Sequence, residues 1–363
     1  MQITRLEVQA LDVPLEIPRH EKGGSRASHI PHILVRLYTD DGIEGIGYVL
    51  SLYPRSIPPI KSAIEQLGPV VVGMDPLMQE AVSAAMHRAL AWIGPFGAAS
   101  MAYTAIDLAL WDIAGKAAGQ PLWKLLGGFR PRVPVCAGHR LRRSATVEEL
   151  QQDAADLVEE GFRAIKIRLG GEGHPKRAAE RLRVVREVVG DDIEIMVDIN
   201  QGWQPAQAIR AGRLFEEYHL TWLEDPIHHR NAERLADVAR ALDTPVMAGQ
   251  YCHGLESLLT LLQANAVDVL MIDLMRVGGV GQWRKAAALA ESFDIPVGSH
   301  LMPESNIHLM AAVPNGIMTD YMPWSLPLFK ETPPIEEGEM IAPDAPGLGL
   351  ELDEEAVARF SLG

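Results

Sequence analysis

Only two cysteines, Cys136 and Cys252, occur in 363 residues, and no paired-motif spacing relates them. A reduced compartment is therefore the simpler reading, with the cytoplasm as the default location. Positive charge is also short: 33 basic residues face 48 acidic ones, a formal balance of −15. Neither nucleic acid nor an anionic membrane gains counterion release against such a surface, which argues against both as partners. No apolar run approaches the ~20 residues of a membrane span, and the N-terminus lacks a basic-then-apolar signal pattern. A dinucleotide fingerprint is missing too. Gly278-Gly279-x-Gly281 comes too late in the chain and without its acidic partner.

Three similar stretches organise what is present. Ile195-Met-Val-Asp198, Trp222-Leu-Glu224 and Pro245-Val-Met-Ala-Gly-Gln250 are each an apolar run with strand propensity that ends in one oxygen-bearing side chain and leads into a helical pattern. The three endings are 26 residues apart. A βαβ unit takes roughly 30 residues, so three successive parallel strands would present Asp198, Glu224 and Gln250 at one sheet edge. Hard divalent cations such as magnesium want oxygen ligands of this kind. Carboxylates after strands also cap the next helix. Equal spacing with apolar lead-ins on all three favours a shared site.

The chain is long for one ordinary domain, while an α/β barrel alone takes about 250 residues. Residues 3–15, 32–39 and 43–50 alternate like strands, and residues 18–28 between the first two have the composition of a mobile loop. Within that loop His20, Ser25 and Arg26 would cover a substrate or simply face solvent. Residues 60–126 turn helical, most clearly 101–117, and Gly127-Gly128 with Pro131 mark a boundary. Strand and helix then alternate, with strands at 133–137, 164–169, 194–198, 221–224, 244–248, 267–272, 295–299 and 317–319. Eight such strands predict an α/β fold in which a closed parallel barrel follows an N-terminal α+β domain. The division is 1–130 for the first domain, 131–320 for the barrel, and 321–363 for a proline-rich tail returning to the first domain.

Barrel chemistry sits where strands end. The strand-terminal side chains are Lys166 and Arg168, Asp198 and Asn200, Glu224, Gln250, Asp273, His300 and Asp320. His139, just past the first barrel strand, is a substrate-contact candidate. His228, His229 and His253 read as loop residues.

This array resembles the enolase superfamily, and within it the mandelate racemase subgroup. The residues that carry the likeness are Thr104-Ala-Ile-Asp107-Leu-Ala-Leu-Trp111-Asp112, Pro121-Leu-Trp-Lys-Leu-Leu-Gly-Gly128, Lys166-Ile-Arg168, Val197-Asp198-Ile-Asn200-Gln-Gly-Trp203, Glu224-Asp225-Pro226, Asp273 with Gly278-Gly279, and Ser299-His300-Leu301. The resemblance implies a capping domain over a modified TIM barrel, a magnesium ion (Mg2+), and removal of the proton next to a substrate carboxylate to give an enediolate. It places Asp198, Glu224 and Gln250 on the metal positions, and Lys166 and Arg168 on a Lys-x-Lys motif. Asp273 and His300 fall on the catalytic dyad, and Asp320 on the acid that bonds the substrate carboxylate. Asn200, His20, Arg26 and His139 remain candidate substrate contacts.

Three departures qualify the likeness. Gln250 stands for a carboxylate, which lowers the charge of the ligand set; Asp320 is one methylene shorter than glutamate; Arg168 replaces a lysine and is a poor proton acceptor. The expectation is a magnesium-dependent lyase that dehydrates a sugar acid to a 2-keto-3-deoxy acid. A racemase or epimerase of a 2-hydroxy acid is the first alternative, and an inactive binding protein with a decayed metal site the second. Substrate identity would lie in residues 18–28 and 49–55. A homo-oligomer is expected, as for many enzymes of this size.

Overall fold

The computed structural model describes residues 1–20 and 26–362, and the side chains of residues 18–20 and 26 are outside the description. Three antiparallel strands, β1 (Ile3–His20), β2 (Arg26–Thr39) and β3 (Glu44–Leu50), form the first sheet. The first two run well beyond the alternating stretches of sequence, into the region expected to be loop. Their ladder breaks register between Pro14 and Arg19, then resumes with Arg19 opposite Ala27 and His20 opposite Arg26. Main-chain pairing carries the hairpin where side-chain pattern no longer signals a strand.

Helices α1 (Ile57–Val71), α2 (Gln79–Ala89) and α3 (Ala98–Ala118) complete this domain, with a short α4 (Leu122–Leu125) after it. α3 is apolar nearly all round because it is buried nearly all round. Its small residues meet glycines of β3 backbone to backbone: a Cβ at Gly47 would lie 2.0 Å from the Ala105 carbonyl oxygen. No other residue fits there.

The second unit is a closed barrel of eight parallel strands: β4 (Arg132–Ala137), β5 (Ala164–Arg168), β6 (Glu194–Asp198), β7 (Trp222–Glu224), β8 (Val246–Ala248), β9 (Val269–Asp273), β10 (Val297–His300) and β11 (Gly316–Tyr321). Pairing of β11 with β4 closes it. The helices of the outer ring are α5 (Val147–Glu159), α6 (Pro175–Val189), α7 (Pro205–Phe215), α8 (Ala232–Ala241), α9 (Gly254–Gln263), α10 (Leu274–Val277), α11 (Val280–Glu291) and α12 (Pro303–Ala312). Inside, Cys136, Ala164, Met196, Trp222, Met247, Val269, Met271 and Met318 form an apolar plug beneath the strand ends. Flexible methionines fill that tapering space well.

A hairpin of β12 (Ile335–Glu336) and β13 (Glu339–Ile341) pairs with β4, and α13 (Glu354–Phe360) ends the chain. This tail touches the first sheet, where Leu362 N donates to Ala10 O at 2.9 Å and Arg36 pairs with Glu354 at 2.7 Å. Asp112 of α3 ties the parts together by accepting from Ile46 N and Leu348 N, each at 2.9 Å. The cap is fixed over the C-terminal ends of the strands by Thr104, which donates to Leu274 O, and by Tyr48, which donates to Glu304. Among the described residues, no helix is long and apolar enough to cross a membrane.

Candidate active site

Parallel register decides which strand-end side chains become neighbours. Arg168 lies opposite Asp198, Asp198 opposite Glu224, and Asp273 opposite His300. Lys166, two residues before Arg168, points to the same side of β5, as strand periodicity requires. Its ammonium crosses the barrel mouth to stand 3.0 and 3.2 Å from the two oxygens of Glu224 and 3.1 Å from Asp320 Oδ1. Gly138, the residue after β4, permits this meeting: a Cβ there would lie 2.8 Å from Asp320 Oδ1 and 3.2 Å from Lys166 Cε.

Lys166, Asp198, Glu224, Asp273 and Asp320 are buried, Lys166 to 1% exposure and Glu224 to 0%. Burial penalises every charge, so pairing decides which survive. For Lys166, burial works against the cation but Asp320, Glu224 and Asp198 outweigh it, and its pKa rises. The depression from Arg168 is the least of these influences. Asp320 is likewise opposed by burial, yet Lys166, His300 and Arg168 hold it below the usual carboxylate range. The structure thus favours ionised Asp320.

The opposite holds at the neighbouring pole. Burial pushes Glu224 up to about 7, helped by Asp198 and resisted by Lys166. Asp225 rises well above its ordinary value through burial and the charges of Asp198 and Glu224. Its Oδ1 is buried without a hydrogen-bond partner. Three carboxylates thus share a pole where Lys166 is the close cation and Arg168 Nε stands 3.8 Å from Asp198. Such an excess of buried negative charge suits a divalent cation.

The donor chemistry at that pole fits magnesium. Asp198 and Glu224 supply carboxylate oxygens on adjacent strands, and amide oxygens are accepted ligands for hard cations. Gln250 Nε2 donates to Glu224 Oε1 at 3.0 Å and Asp225 Oδ2 at 2.5 Å, so a half-turn of the amide would present its oxygen instead. Among the described residues no three His, Cys, Asp or Glu side chains form a metal cage. An ion here would depend on the Gln250 amide and on water or substrate oxygens. Asn200, in the left-handed region at φ 48°, braces Asp198 from its backbone N at 2.7 Å and its Nδ2 at 2.5 Å. Arg143 in turn donates to Asn200 Oδ1 at 3.1 Å.

Across the barrel His300 Nδ1 is 2.5 Å from Asp273 Oδ2. That bond commits Nδ1 and leaves Nε2 as the nitrogen that can exchange a proton. Asp273 also caps α10, since its Oδ1 accepts from Arg276 N at 2.8 Å. One carboxylate thus caps a helix and holds the imidazole. Arg168 donates to the Gly138 carbonyl and approaches Met322 Sδ at 3.8 Å, with 23% of its side chain exposed.

The remaining expected contacts are His139, His20, Ser25 and Arg26. His139 packs against the rings of Phe162 and Tyr321, and burial with the charges of Arg140 and Arg168 lowers its pKa to about 4. His20 and Arg26 face each other as strand partners, but their side chains, like all of Ser25, are outside the described residues. Gly138, Arg143, Asp225 and Arg276 escaped the sequence reading. Asp225 adjoins Glu224 and Arg276 lies three residues past Asp273, so spacing held a signal for these two. Gly138 and Arg143 matter only through contacts made in space.

Comparison with known proteins gives the same architecture. Residues 4–127 match the N-terminal domain of the mandelate racemase / muconate lactonizing enzyme family, and residues 149–356 match the enolase C-terminal domain-like family. The chain is 30% identical to 3,6-anhydro-alpha-L-galactonate cycloisomerase of Streptomyces coelicolor, over 99% of this chain and 100% of that protein. It is 32% identical to L-talarate/galactarate dehydratase of Salmonella typhimurium, over 89% of this chain and 81% of the relative. It superposes on the crystal structure of L-talarate dehydratase from Polaromonas sp., complexed with Mg and L-glucarate, with a TM-score of 0.92 and 30% identity, covering 100% and 98% of the two chains.

Proposed function

Because the chain belongs to the mandelate racemase / muconate lactonizing enzyme family, with an enolase-like barrel, we propose that it removes the proton α to a carboxylate and dehydrates a sugar acid to a 2-keto-3-deoxy acid. The observation that carries this reading is the His300–Asp273 bond of 2.5 Å, set across the barrel from the cations Lys166 and Arg168. Magnesium, held by Asp198, Glu224 and the Gln250 amide oxygen, would supply positive charge to an enediolate as it develops. The rest falls to side chains. Lys166 and Arg168 bind the substrate carboxylate, and ionised Asp320 fixes the Lys166 ammonium. His300 Nε2 takes the α-proton while Asp273 stabilises the imidazolium. The imidazolium then returns that proton to the 3-hydroxyl, which leaves as water, and the enol becomes a 2-keto acid. Asn200 orients Asp198, and His20, Arg26 and His139 are proposed to contribute to substrate contact at the edge of the site.

A racemase or epimerase would need a base on each face of the enediolate. Lys166, its pKa raised by three carboxylates, and Arg168 supply none on the second face. Dehydration is favoured for that reason. Loss of a ligand carboxylate at Gln250 keeps an inactive binding protein as the contrasting outcome. Incubating the protein and magnesium with a library of sugar acids, with detection of 2-keto acids, decides among the three. Product formation that requires His300 supports the dehydratase, whereas α-epimers formed without loss of water would replace it with the isomerase. No turnover and no magnesium binding would leave the binding protein.

The proposed division of labour follows the folding units: residues 1–130 cap the site, 131–320 carry it, and 321–363 fasten the cap. We also propose a homo-oligomer in the cytoplasm. Trp92, Ile93 and Phe96 support self-association, being 100%, 70% and 50% exposed in one loop, an apolar cluster of the kind that interfaces cover. Free, buried Cys136 and Cys252 accord with a reducing compartment.

A further inference from the structure

Arg276 stands behind the dyad and has no part in the reaction described above. Its backbone N and its guanidinium hold different oxygens of Asp273: N reaches Oδ1 at 2.8 Å, and one guanidinium nitrogen, NH1, reaches Oδ2 at 2.8 Å. Oδ2 is also the oxygen that binds His300 Nδ1. The same NH1 donates to the carbonyl of Gln250 at 2.6 Å, and the guanidinium lies 5.2 Å from the centre of the Tyr251 ring. Capping of α10 needs only the backbone N–H. The side chain therefore adds two things that a cap does not require: a positive charge shared with a wholly buried carboxylate, and a tie from the dyad to the end of β8.

We propose that Arg276 is a positioning residue that divides the Asp273 carboxylate with His300, fixing the imidazole ring and moderating the carboxylate's hold on the proton His300 carries. Without it, Asp273 would place its full charge on the imidazolium and be held only by the Arg276 N–H and by His300 itself. A base that grips its proton too tightly returns it slowly to a leaving hydroxyl. The field at His300 has other contributors. Asp320 of β11 faces it, with Lys166 and Arg168 beyond that carboxylate. His253 senses both Asp273 and Arg276. On α12, Asn306 donates to the His300 carbonyl at 3.4 Å, while buried Glu304 is bonded by Tyr48. Arg276 is the cation in direct contact with the dyad carboxylate, and burial of Asp273 is outweighed first by its charge and then by the His300 bond.

The idea rests on the reading of His300 as the base, but its test needs no substrate. Histidine-labelled whole protein is titrated by imidazole nitrogen shifts, with His300 assigned from the spectrum of His300→Asn. Arg276→Gln should move the His300 midpoint to higher pH by about one unit, the size expected when one close charge is removed. Arg276→Lys should bring the midpoint most of the way back. Lysine keeps the charge but not the planar bridge, so the Nδ1 proton should exchange with water on the order of tenfold faster than in unmodified protein. A purely structural arginine would lower the melting temperature and leave both readings alone. An unmoved midpoint in folded Arg276→Gln overturns the proposal; should that variant not fold, an unchanged Nδ1 proton lifetime in Arg276→Lys overturns it equally. Absence of any sugar-acid turnover would count against the proposed reaction and leave these readings to decide the role of Arg276.

Discussion

Lys166 of β5 and Asp320 of β11 meet at 3.1 Å over Gly138, the residue that follows β4, the strand that lies between theirs in the barrel. Each would be costly to bury alone. Together, and with Glu224, they keep a cation and an anion charged at the centre of the site. The structure makes this pair the hinge between the carboxylate pole and the dyad.

Gly138→Ala should therefore act as an active-site change although the alanine carries no function. Its Cβ would sit against Asp320 Oδ1 and Lys166 Cε. A loss of turnover of about tenfold or more is expected, with the melting temperature little changed. Full activity in this variant would show that the pair need not be held so closely.

The metal pole predicts an unusual response to added charge. Exhaustive chelation should abolish activity and magnesium should restore it, with Asp198→Asn and Glu224→Gln failing to recover. Gln250→Glu should bind magnesium at least as tightly as unmodified protein, and by calorimetry about tenfold tighter, because it restores a carboxylate at a ligand position. Activity that survives chelation would remove the metal from the mechanism.

For the base, substrate turned over in deuterium oxide separates the two kinds of chemistry. His300→Asn should lose both α-deuteration and product by about 10²–10⁴-fold. Arg168→Lys should damage dehydration through loss of the two-point grip on the carboxylate. Exchange of the α-proton that continues in His300→Asn would identify a second base and favour epimerisation.

Two buried carboxylates outside the dyad predict how stability depends on pH. Burial raises Asp107 to about 7 against the opposing N–H groups of Gly281 and Val280, and raises Glu304 to about 7 against its bond from Tyr48. Folded pKa values above those of the unfolded chain mean that the folded state binds the protons more tightly. Their contribution is then full below about pH 4 and is lost as pH rises through 7. Melting temperature should fall between about pH 4 and 7 on their account. Glu304→Gln should flatten that fall, with about 1–3 kcal/mol less loss of stability across the interval. An unaltered slope would mean that Glu304 ionises in the folded protein at its ordinary carboxylate pKa.

Most of the barrel was legible in one dimension because each strand is short, apolar and ended by a polar residue, and the 26-residue interval repeats the size of one strand-helix unit. The strand expected at 194–198 coincides with β6. The first hairpin was read short because cross-strand pairing, not alternation, extends it to His20 and Arg26. Residue identity alone likewise determined that Arg168 cannot readily accept a proton and that position 250 brings an amide. What the sequence could not determine was charge state and company. Asp320 is ionised because folding brings a lysine from another strand beside it, and Lys166 is a fixed cation because three carboxylates surround it in space. Asp273 serves at once as cap, dyad member and partner of Arg276, a combination that exists only once β9, α10 and β10 are packed together. Electrostatic energies depend on distance and burial, and both are set by strand register and barrel closure, whereas the propensity to form each strand is local and written in the chain itself.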